Sequence, residues 1–401
     1  MNILLLCDEY PPGRHGGIGT AVQLLARQYV QLGNDVVVAG FYHWGYGGEN
    51  NFEDNGVKVF RFRPGLASDF FRKQDSLFVR AASRVLKVSG ILQWDIKRSL
   101  EKYNTFLENL IKEYRIDVVE MPDYHDYMRF CNTAVHFPVL NIPTIVKLHG
   151  SMTYFAGEAG DQVLSYTREM EKAILDRADA IVSVSKYTAT QTAKYFQLDR
   201  NITVLYNGIN LPDVSTDIKK IKGLVVFTGT LVEKKGIYQL VKAWNIVAGK
   251  VTGAVLHIYG KGPVKKISRL LSELSRESVI FKGHIDRKEL YKNLARAEVA
   301  VFPSYAETFG LAVAEAMACG TAVISSTRTS GPEIVKDKET GMLADPDDFE
   351  RIASLIITLL IDDKLRTELA ANGQQYVQEN FDINIIAKQN LSFYKTVIDK
   401  H

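Results

Sequence analysis

Two series of short apolar runs, separated by stretches of helical periodicity, constrain the fold of this chain more than any other feature. In the first series, runs at residues 3–7 and 36–39 flank an amphipathic stretch at 18–32. Runs without polar alternation are typical of strands buried on both faces, as in a parallel sheet covered by helices. The pattern therefore predicts an α/β fold built from doubly wound parallel sheets.

The strand–loop–helix pattern starts again after a polar stretch at residues 212–222. A chain of 401 residues is also too long for one compact core. We therefore predict two doubly wound lobes in tandem, followed by a last helical segment. The predicted division is 1–212 for the N-terminal domain, 213–380 for the second domain and 381–401 for the closing helix.

Composition excludes several classes of protein. The 49 lysines and arginines nearly balance the 46 aspartates and glutamates, which argues against a nucleic acid as the main partner. Cys7, Cys131 and Cys319 are scattered, so the chain encodes neither a disulfide framework nor a zinc cluster. No apolar stretch approaches the roughly 20 residues of a membrane-spanning helix, and Asp8 and Glu9 interrupt the first run too early for a signal peptide. We expect a cytoplasmic protein.

The segment 303–320 is the richest in potential ligand-binding groups. A strand is predicted to end at Phe302 and a helix to begin near Phe309. Open parallel sheets bind ligands beyond the carboxyl ends of their strands, and the first amides of a helix lack partners within it. The backbone N–H groups of Phe309, Gly310 and Leu311 are therefore predicted to bind a phosphate.

Two carboxylates in this segment, Glu307 and Glu315, are eight residues apart. That spacing corresponds to about 12 Å of rise along a helix, whereas the two carboxyl groups of a retaining hydrolase lie about 5 Å apart. The spacing suits two anchors on one extended ligand, with Glu315 placed to bind a ribose diol. Taken alone, the pattern also fits a simpler interpretation, in which Glu307 is a carboxylate at the start of a helix and Glu315 is a solvent-exposed helix residue.

Further short motifs follow one another along the chain. They lie at residues 16–19 (GGIG), 147–150 (KLHG), 183–186 (SVSK), 206–210 (YNGIN), 259–263 (YGKGP) and 330–335 (SGPEIV). Together with the segment 303–320 and the closing helix, they resemble the retaining glycosyltransferases of family 4, in family order. The resemblance implies the GT-B fold, in which two Rossmann-like lobes face each other across a cleft that holds a nucleotide-sugar donor. The final helix would cross back to the first lobe.

The resemblance also implies a role for individual residues. Glu307 would hold hydroxyls of the donor sugar, Lys235 the diphosphate, and His149 the donor sugar from the first lobe. For His149, a histidine satisfied within a turn is the alternative. Further donor-binding residues would be Gly17, Thr230, Lys234, Gly262, Phe309, Gly310, Leu311 and Glu315.

One position departs from the family pattern. Family members often carry Gly-Arg where this chain has Gly229-Thr230, and the arginine supplies a bidentate phosphate contact. Thr230 can donate one hydrogen bond but carries no charge. Either Lys234, Arg14 or another basic residue replaces the arginine, or the donor binds less tightly.

The resemblance implies transfer of a hexose with retained configuration, without a metal ion and without a cofactor. We expect no Asp-x-Asp motif at the end of a strand, where it could hold a divalent ion beside a sugar diphosphate, and no cluster of Cys and His residues. Polysaccharide or glycolipid synthesis is the expected setting, with a glycan, a glycolipid or a small molecule as acceptor. The motifs do not specify the base, the sugar or the acceptor.

The acceptor side is less well marked. Asp123 and His125 follow another strand of the first lobe and could orient an acceptor hydroxyl, although a polar loop at that place needs no function. The segment 58–102 carries eleven lysines and arginines against four acidic residues. It could lie on an anionic membrane, or it could be a solvated face over a core-facing stripe. Its proposed apolar face comprises Phe70, Phe71, Leu77, Phe78, Val79, Val85 and Leu86.

Other functions that proteins with two doubly wound lobes perform fit this sequence less well. A nicotinamide dehydrogenase is disfavoured by Val22 in place of a third glycine and by the absence of an acidic residue at residues 39–41. A P-loop motif is absent from the sequence. Two alternatives remain, a nucleotide-sugar epimerase of the same architecture and a sugar-nucleotide-binding subunit with weak activity.

Overall fold

The computed structural model describes residues 1–13, 15–42, 48–65, 77–212 and 218–401, and it describes no side chains for 77–81 and 83. The predicted roles of Arg14, Phe70 and Phe71 lie outside the described residues, as do those of the side chains of Leu77, Phe78 and Val79. The chain divides into two compact units. Unit 1 comprises Met1–Gly208 and Ile386–His401, and unit 2 comprises Ile209–Ile385.

In the described part of unit 1, one sheet joins eight strands in the order β3-β4-β2-β1-β5-β6-β7-β8. All neighbouring strands are parallel except β3 and β4, which form an antiparallel pair at one edge. The continuous apolar runs of the sequence form the buried central strands, as predicted. The strands are β1 (Asn2–Leu6), β2 (Asp35–Phe41), β3 (Asn51–Asp54), β4 (Val57–Phe62), β5 (Val118–Pro122), β6 (Thr144–Leu148), β7 (Ala180–Ser183) and β8 (Ile202–Val204).

Six helices of the described part connect these strands. They are α1 (Gly17–Gln31), α2 (Leu77–Val88), α3 (Ile91–Glu113), α4 (Met152–Ala159), α5 (Ser165–Arg177) and α6 (Lys186–Phe196). Their apolar faces cover the sheet, and α3 contributes Leu92, Ile96 and Tyr103, all with 0% exposure, to the core. This packing leaves the loops at the strand ends to carry polar groups.

In the described part of unit 2, six parallel strands form a sheet in the order β11-β10-β9-β12-β13-β14. The strands are β9 (Leu224–Thr228), β10 (Val255–Tyr259), β11 (Val279–Gly283), β12 (Val299–Phe302), β13 (Ala322–Ser326) and β14 (Met342–Ala344). The helices are α7 (Ile237–Lys250), α8 (Val264–Ser268), α9 (Glu273–Ser278), α10 (Arg287–Arg296), α11 (Leu311–Ala318), α12 (Gly331–Ile334), α13 (Phe349–Ile361) and α14 (Asp363–Asn380). Both units are therefore α/β layers around parallel sheets.

The final helix, α15 (Ile383–Ile398), begins in unit 2 and belongs to unit 1 from Ile386 onward. The divisions fall at 208/209 and 385/386, a few residues from the predicted 212/213 and 380/381. Backbone hydrogen bonds explain the difference, because the Ile209 amide donates to the Phe381 carbonyl and the Ile383 amide donates to the Ile209 carbonyl, each at 2.9 Å. These two chain segments are therefore hydrogen-bonded to each other within unit 2.

Hydrogen bonds join the turn after β9 to the loop after β12. The strands β9 and β12 are neighbours in the sheet. The Lys234 carbonyl accepts hydrogen bonds from the amides of Tyr305 at 2.8 Å and Ala306 at 3.3 Å. Gly236 ends the turn with a φ of 71°, and a Cβ atom there would lie 1.8 Å from the Pro303 carbonyl oxygen. Only glycine allows both the backbone conformation and this close approach.

We expect Gly236→Ala to lower the free energy of unfolding of unit 2 by about 3 kcal/mol, because it adds a steric overlap to an unfavourable φ. Urea denaturation followed by circular dichroism measures the change. Gly253, with a φ of 80° and open space around its Cβ position, is the matched control. Gly253→Ala should cost only about 1 kcal/mol for the conformation itself, and equal losses in the two variants would contradict the close approach at Gly236.

Candidate functional site

The predicted catalytic pair of the second domain is brought together at the carboxyl end of the unit 2 sheet. The Lys235 ammonium and the Glu307 carboxylate form an ion pair, and the Ser304 hydroxyl donates to the same carboxylate oxygen at 3.3 Å. The side chains of Lys235 and Glu307 are 26% and 22% exposed, so both are accessible to a ligand. In the free protein, each charge neutralises the other.

A second cation lies in the same turn. Lys234 is next to Lys235, and loss of solvent followed by the charge of Lys235 lowers the pKa of Lys234. The backbone of Lys234 holds the loop that carries Glu307, as described above. Two adjacent ammonium groups at a strand end form a local centre of positive charge suited to a diphosphate.

The predicted phosphate-binding amides lie at the start of α11. Gly310 precedes the helix with a φ of 101°, and its carbonyl accepts from the amide of Val313 at 3.0 Å. The Ser330 hydroxyl donates to the Phe309 carbonyl at 2.8 Å, and the Phe309 ring packs edge-on against Phe381. The start of a helix carries the positive end of the helix dipole, which favours an anion at this position.

Glu315 lies further along α11, with a side chain that is 10% exposed. It forms an ion pair with Arg287, and the Tyr291 hydroxyl donates to it at 3.3 Å. The Arg287 guanidinium also lies 5.6 Å from the centre of the Tyr291 ring. Sequence reasoning missed Arg287 and Tyr291, because nothing in the pattern of α10 distinguishes them from other polar helix residues.

Two further predicted donor-binding residues occupy loops at the same sheet edge. Thr230 is exposed and follows β9, and Gly262 is exposed and follows β10, the neighbouring strand. A Cβ atom on Gly262 would lie 2.4 Å from the Cβ atom of Leu231. Gly262 thus allows the loop after β10 to pack against the loop after β9, which is a structural use of this glycine.

In unit 1, Asp123 and His149 follow the adjacent strands β5 and β6. The Asp123 carboxylate accepts hydrogen bonds from the amides of His149 at 3.0 Å and Gly150 at 3.2 Å, and Asp123 is only 1% exposed. This contact differs from the predicted role of Asp123 in orienting an acceptor hydroxyl. Burial makes the carboxylate an acceptor for the backbone and encloses it.

Burial also controls the charges of these two side chains. Burial, opposed by the two amides and reinforced by the charge of Glu171, raises the pKa of Asp123 to about 7. Burial and then the charge of Lys147 lower the pKa of His149 to about 3. His149 is therefore a neutral imidazole at physiological pH, and its ring makes no hydrogen bond to any residue in the described part of the chain.

His125 is fully buried, in contrast to its predicted place beside an acceptor. Its Nδ1 atom lies 3.1 Å from the Asp8 carboxylate, and its ring stacks on Phe137 with centroids 4.2 Å apart. The same Asp8 carboxylate accepts from the amide of Phe41 at 2.9 Å. Among the described residues, the Nε2 atom of His125 has no hydrogen-bond partner. His125 therefore serves the packing around Asp8.

The predicted diphosphate contact at Gly17 has an acidic neighbour. Gly17 is the first residue of α1 and is exposed. Two residues later, the Gly19 amide donates to the Glu9 carboxylate at 2.8 Å, and burial raises the pKa of Glu9. Glu9 thus already occupies an anion position at the start of α1. The sequence pattern around Glu9 does not reveal this contact.

The prediction that no Asp-x-Asp motif follows a strand was wrong. Asp345 and Asp347 directly follow β14, a strand of only three residues that the apolar pattern did not reveal. Both carboxylates bind Arg328, at 2.7 and 2.6 Å. Within the described part of the chain, no group of three or more His, Cys, Asp or Glu residues is arranged to hold a metal ion. The helices described here include none that is long and apolar enough to cross a bilayer.

Comparisons with known proteins agree with this architecture. An uncharacterised glycosyltransferase of Methanocaldococcus jannaschii is 26% identical, over 100% of this chain and 99% of its own. Glycogen synthase of Mycobacterium tuberculosis is 24% identical, over 98% and 94% of the two chains. The solved structure of sucrose-phosphate synthase from Thermosynechococcus elongatus superimposes with a TM-score of 0.77 at 22% identity and covers 100% of both chains. HepE of Anabaena, solved with UDP and glucose, gives a TM-score of 0.68 at 18% identity and covers 99% of this chain and 100% of its own.

Two family models match successive parts of the chain. The model described as Glycosyltransferase Family 4 matches residues 15–212, and the model described as Glycosyl transferases group 1 matches residues 213–376. The two matches follow each other without a gap and include every predicted site residue except the candidate Arg14. The chain therefore has the GT-B fold and belongs to the family 4 glycosyltransferases.

Proposed function

We propose that this protein transfers a hexose from a nucleotide-diphosphate sugar to a hydroxyl acceptor, with retention of configuration and without a metal ion. The observation that carries the proposal is the ion pair of Lys235 and Glu307, which lies at the carboxyl end of the sheet beside the first turn of α11. A cation, a carboxylate and the positive end of a helix at one sheet edge are the groups that a sugar diphosphate requires.

Donor binding would exchange the partners of this ion pair. The diphosphate attracts the Lys235 ammonium, and the released Glu307 carboxylate accepts hydrogen bonds from sugar hydroxyls. Negative charge accumulates on the leaving diphosphate in the transition state, so a fixed cation stabilises that state more than the bound donor. Lys234 supplies a second charge in the same turn, which offsets the absence of an arginine at Thr230.

Glu315 would bind the ribose, sharing its carboxylate between the sugar diol and Arg287. His149 would contact the donor sugar as a neutral imidazole, because its lowered pKa prevents it from acting as a proton donor in the charged form. Gly17 and Gly262 would offer backbone close to the diphosphate, and Asp123 would keep the His149 loop in place through its two amide contacts. In such a retaining reaction, the acceptor attacks the face from which the diphosphate leaves.

The acceptor we favour is a growing polysaccharide or a glycolipid, handled at the cytoplasmic side. Glycogen synthase among the relatives supports a polysaccharide, and the UDP in the HepE structure makes UDP-sugars the first donors to screen by thermal shift. A transferase releases nucleoside diphosphate only when an acceptor is present. An epimerase or a binding subunit would show no such dependence.

Removing either member of the ion pair should suppress transfer. We expect Lys235→Met and Glu307→Gln to lower kcat by about a hundredfold or more, the usual cost of losing one group that stabilises transition-state charge. Acceptor-dependent release of nucleoside diphosphate measures the effect. Lys250→Met and Glu350→Gln change exposed residues of the same unit and should keep the wild-type rate. A wild-type rate in Lys235→Met would refute the proposed role.

Chelation of divalent ions should leave turnover intact. Because Lys235, Lys234 and the α11 amides are proposed to neutralise the leaving diphosphate, we expect the same initial rate with excess EDTA as with magnesium. The rates are compared with one protein preparation dialysed into each buffer. Complete loss of turnover in EDTA that returns on adding magnesium would contradict a metal-free reaction.

The raised pKa of Asp123 predicts a pH dependence of both activity and stability. As the pH falls through about 7, the carboxylate gains a proton and holds the His149 and Gly150 amides less firmly, so kcat/KM should fall on the acid side. Asp123→Asn should lower kcat/KM and remove this acid limb. The exposed Asp161, changed to Asn, is the control and should leave the profile unchanged.

The stability effect has the opposite direction with pH. Between its ordinary pKa of 3.8 and about 7, Asp123 keeps a proton in the folded protein that the unfolded chain has released. Its contribution to the free energy of unfolding therefore decreases as the pH rises through that range. Urea midpoints of the wild type, measured against Asp123→Asn, should fall from about pH 5 to about pH 7. A constant difference would show that Asp123 does not titrate there.

A further inference from the structure

Two consecutive helices of unit 1 expose large apolar side chains to solvent. Val85 and Val88 of α2 are 67% and 85% exposed, and Ile91 and Trp94 of α3 are 48% and 61% exposed. We call these four residues the α2–α3 patch. Elsewhere in the described residues, exposed apolar side chains are more scattered along the sequence, as on most soluble proteins.

The helix geometry places the four side chains next to one another. Val85 and Val88 are three residues apart on α2, as are Ile91 and Trp94 on α3, and residues at that spacing share a helix face. Only Ser89 and Gly90 separate the two helices, and Gly90 makes the turn with a φ of 77°. The patch therefore continues across the turn from one helix to the other.

Core packing does not account for this apolar face. Leu86 of α2 packs against the core of unit 1, and Leu92 and Ile96 of α3 are fully buried within it. The sequence left two interpretations open for Leu86, a membrane-facing side chain or part of a core-facing stripe, and its packing in the structure agrees with the second. Since the inward faces of both helices are already apolar, the α2–α3 patch is additional to what folding needs.

Exposed basic side chains lie close to the patch along the same two helices. Arg84, Lys97, Arg98 and Lys102 are exposed, whereas the acidic residues between positions 84 and 102 are the buried Asp95 and the exposed Glu101. The Arg98 guanidinium lies over the Trp94 ring, 5.6 Å from its centre. A tryptophan with a cation beside it suits a boundary between an apolar and an anionic layer.

We propose that the α2–α3 patch docks this protein on an anionic lipid bilayer. The four apolar side chains enter the region between headgroups and acyl chains, and the surrounding cations contact lipid phosphates. A second copy of the chain fits less well, because a symmetric contact would bring the same cations of both copies together. The proposal does not depend on the proposed function, since it concerns a different surface of unit 1.

The test is co-sedimentation of the full-length protein with vesicles of phosphatidylcholine alone and of equal parts phosphatidylcholine and phosphatidylglycerol. We expect binding to the anionic vesicles that weakens as salt is added. Trp94→Ser should weaken it about tenfold or more through lost apolar burial, and Arg98→Gln about fivefold through lost attraction. Far-ultraviolet circular dichroism confirms that the variants fold.

Ile361→Ser and Arg351→Gln are the matched controls, because they change an exposed isoleucine and an exposed arginine on α13 of unit 2. Both should bind vesicles as the wild type does. Equal binding to the two vesicle compositions, or no binding, would overturn the proposal. Concentration-dependent dimers that Trp94→Ser abolishes, without vesicle binding, would overturn it in favour of self-association.

Discussion

Parallel pairing of strands is the constraint on which the rest of this structure depends. Because all described strands except β3 run in one direction within their unit, their carboxyl ends meet at one edge, and so do the loops that follow them. In unit 2, β12 is next to β9, which brings Glu307 to the turn of Lys235 although 72 residues separate them in the chain. Gly236 completes this arrangement, since its missing side chain lets the turn approach the Pro303 carbonyl. The chemistry at this edge thus follows from strand order and from one close backbone contact.

Charged groups of the candidate site are compensated within the free protein. Lys235 is paired with Glu307, Glu315 with Arg287, and the Glu9 carboxylate with an amide at the start of α1. Partly exposed ion pairs contribute little to folding stability. Their main effect is therefore to neutralise the charges of the empty site. In the proposed reaction, a bound donor would exchange partners with the Lys235–Glu307 pair, while Glu315 would keep Arg287 beside the ribose. Binding then costs less desolvation than it would if unpaired charges had to be stripped of water.

The sequence predicted the strands that are apolar throughout and the loops that follow them, because burial on both faces leaves an unmistakable pattern. It missed β14, which has three residues, and consequently the position of Asp345 and Asp347 after a strand. It also missed Arg287, whose role depends on a partner 28 residues away. For Asp123 and His125, the residue type suggested contact with an acceptor, while the structure shows that both residues are buried. Residue type and loop position can be read from a sequence, whereas depth of burial and long-range pairing depend on the complete packing.

The last helix, α15, contacts two buried charged residues of unit 1, Glu120 and Lys147. Tyr394 of α15 donates to the Glu120 carboxylate of β5, and Lys147 of β6 lies 3.6 Å from that carboxylate. The Lys147 ammonium also donates to Asn390 of α15 at 3.0 Å. Burial is the main cause of the lowered pKa of His149, and the Lys147 charge, which α15 holds in place, adds to it. A buried pair is costly to break because one charge is left without a partner, so α15 fixes the position of a charge two residues before His149 that reinforces the effect of burial on this imidazole.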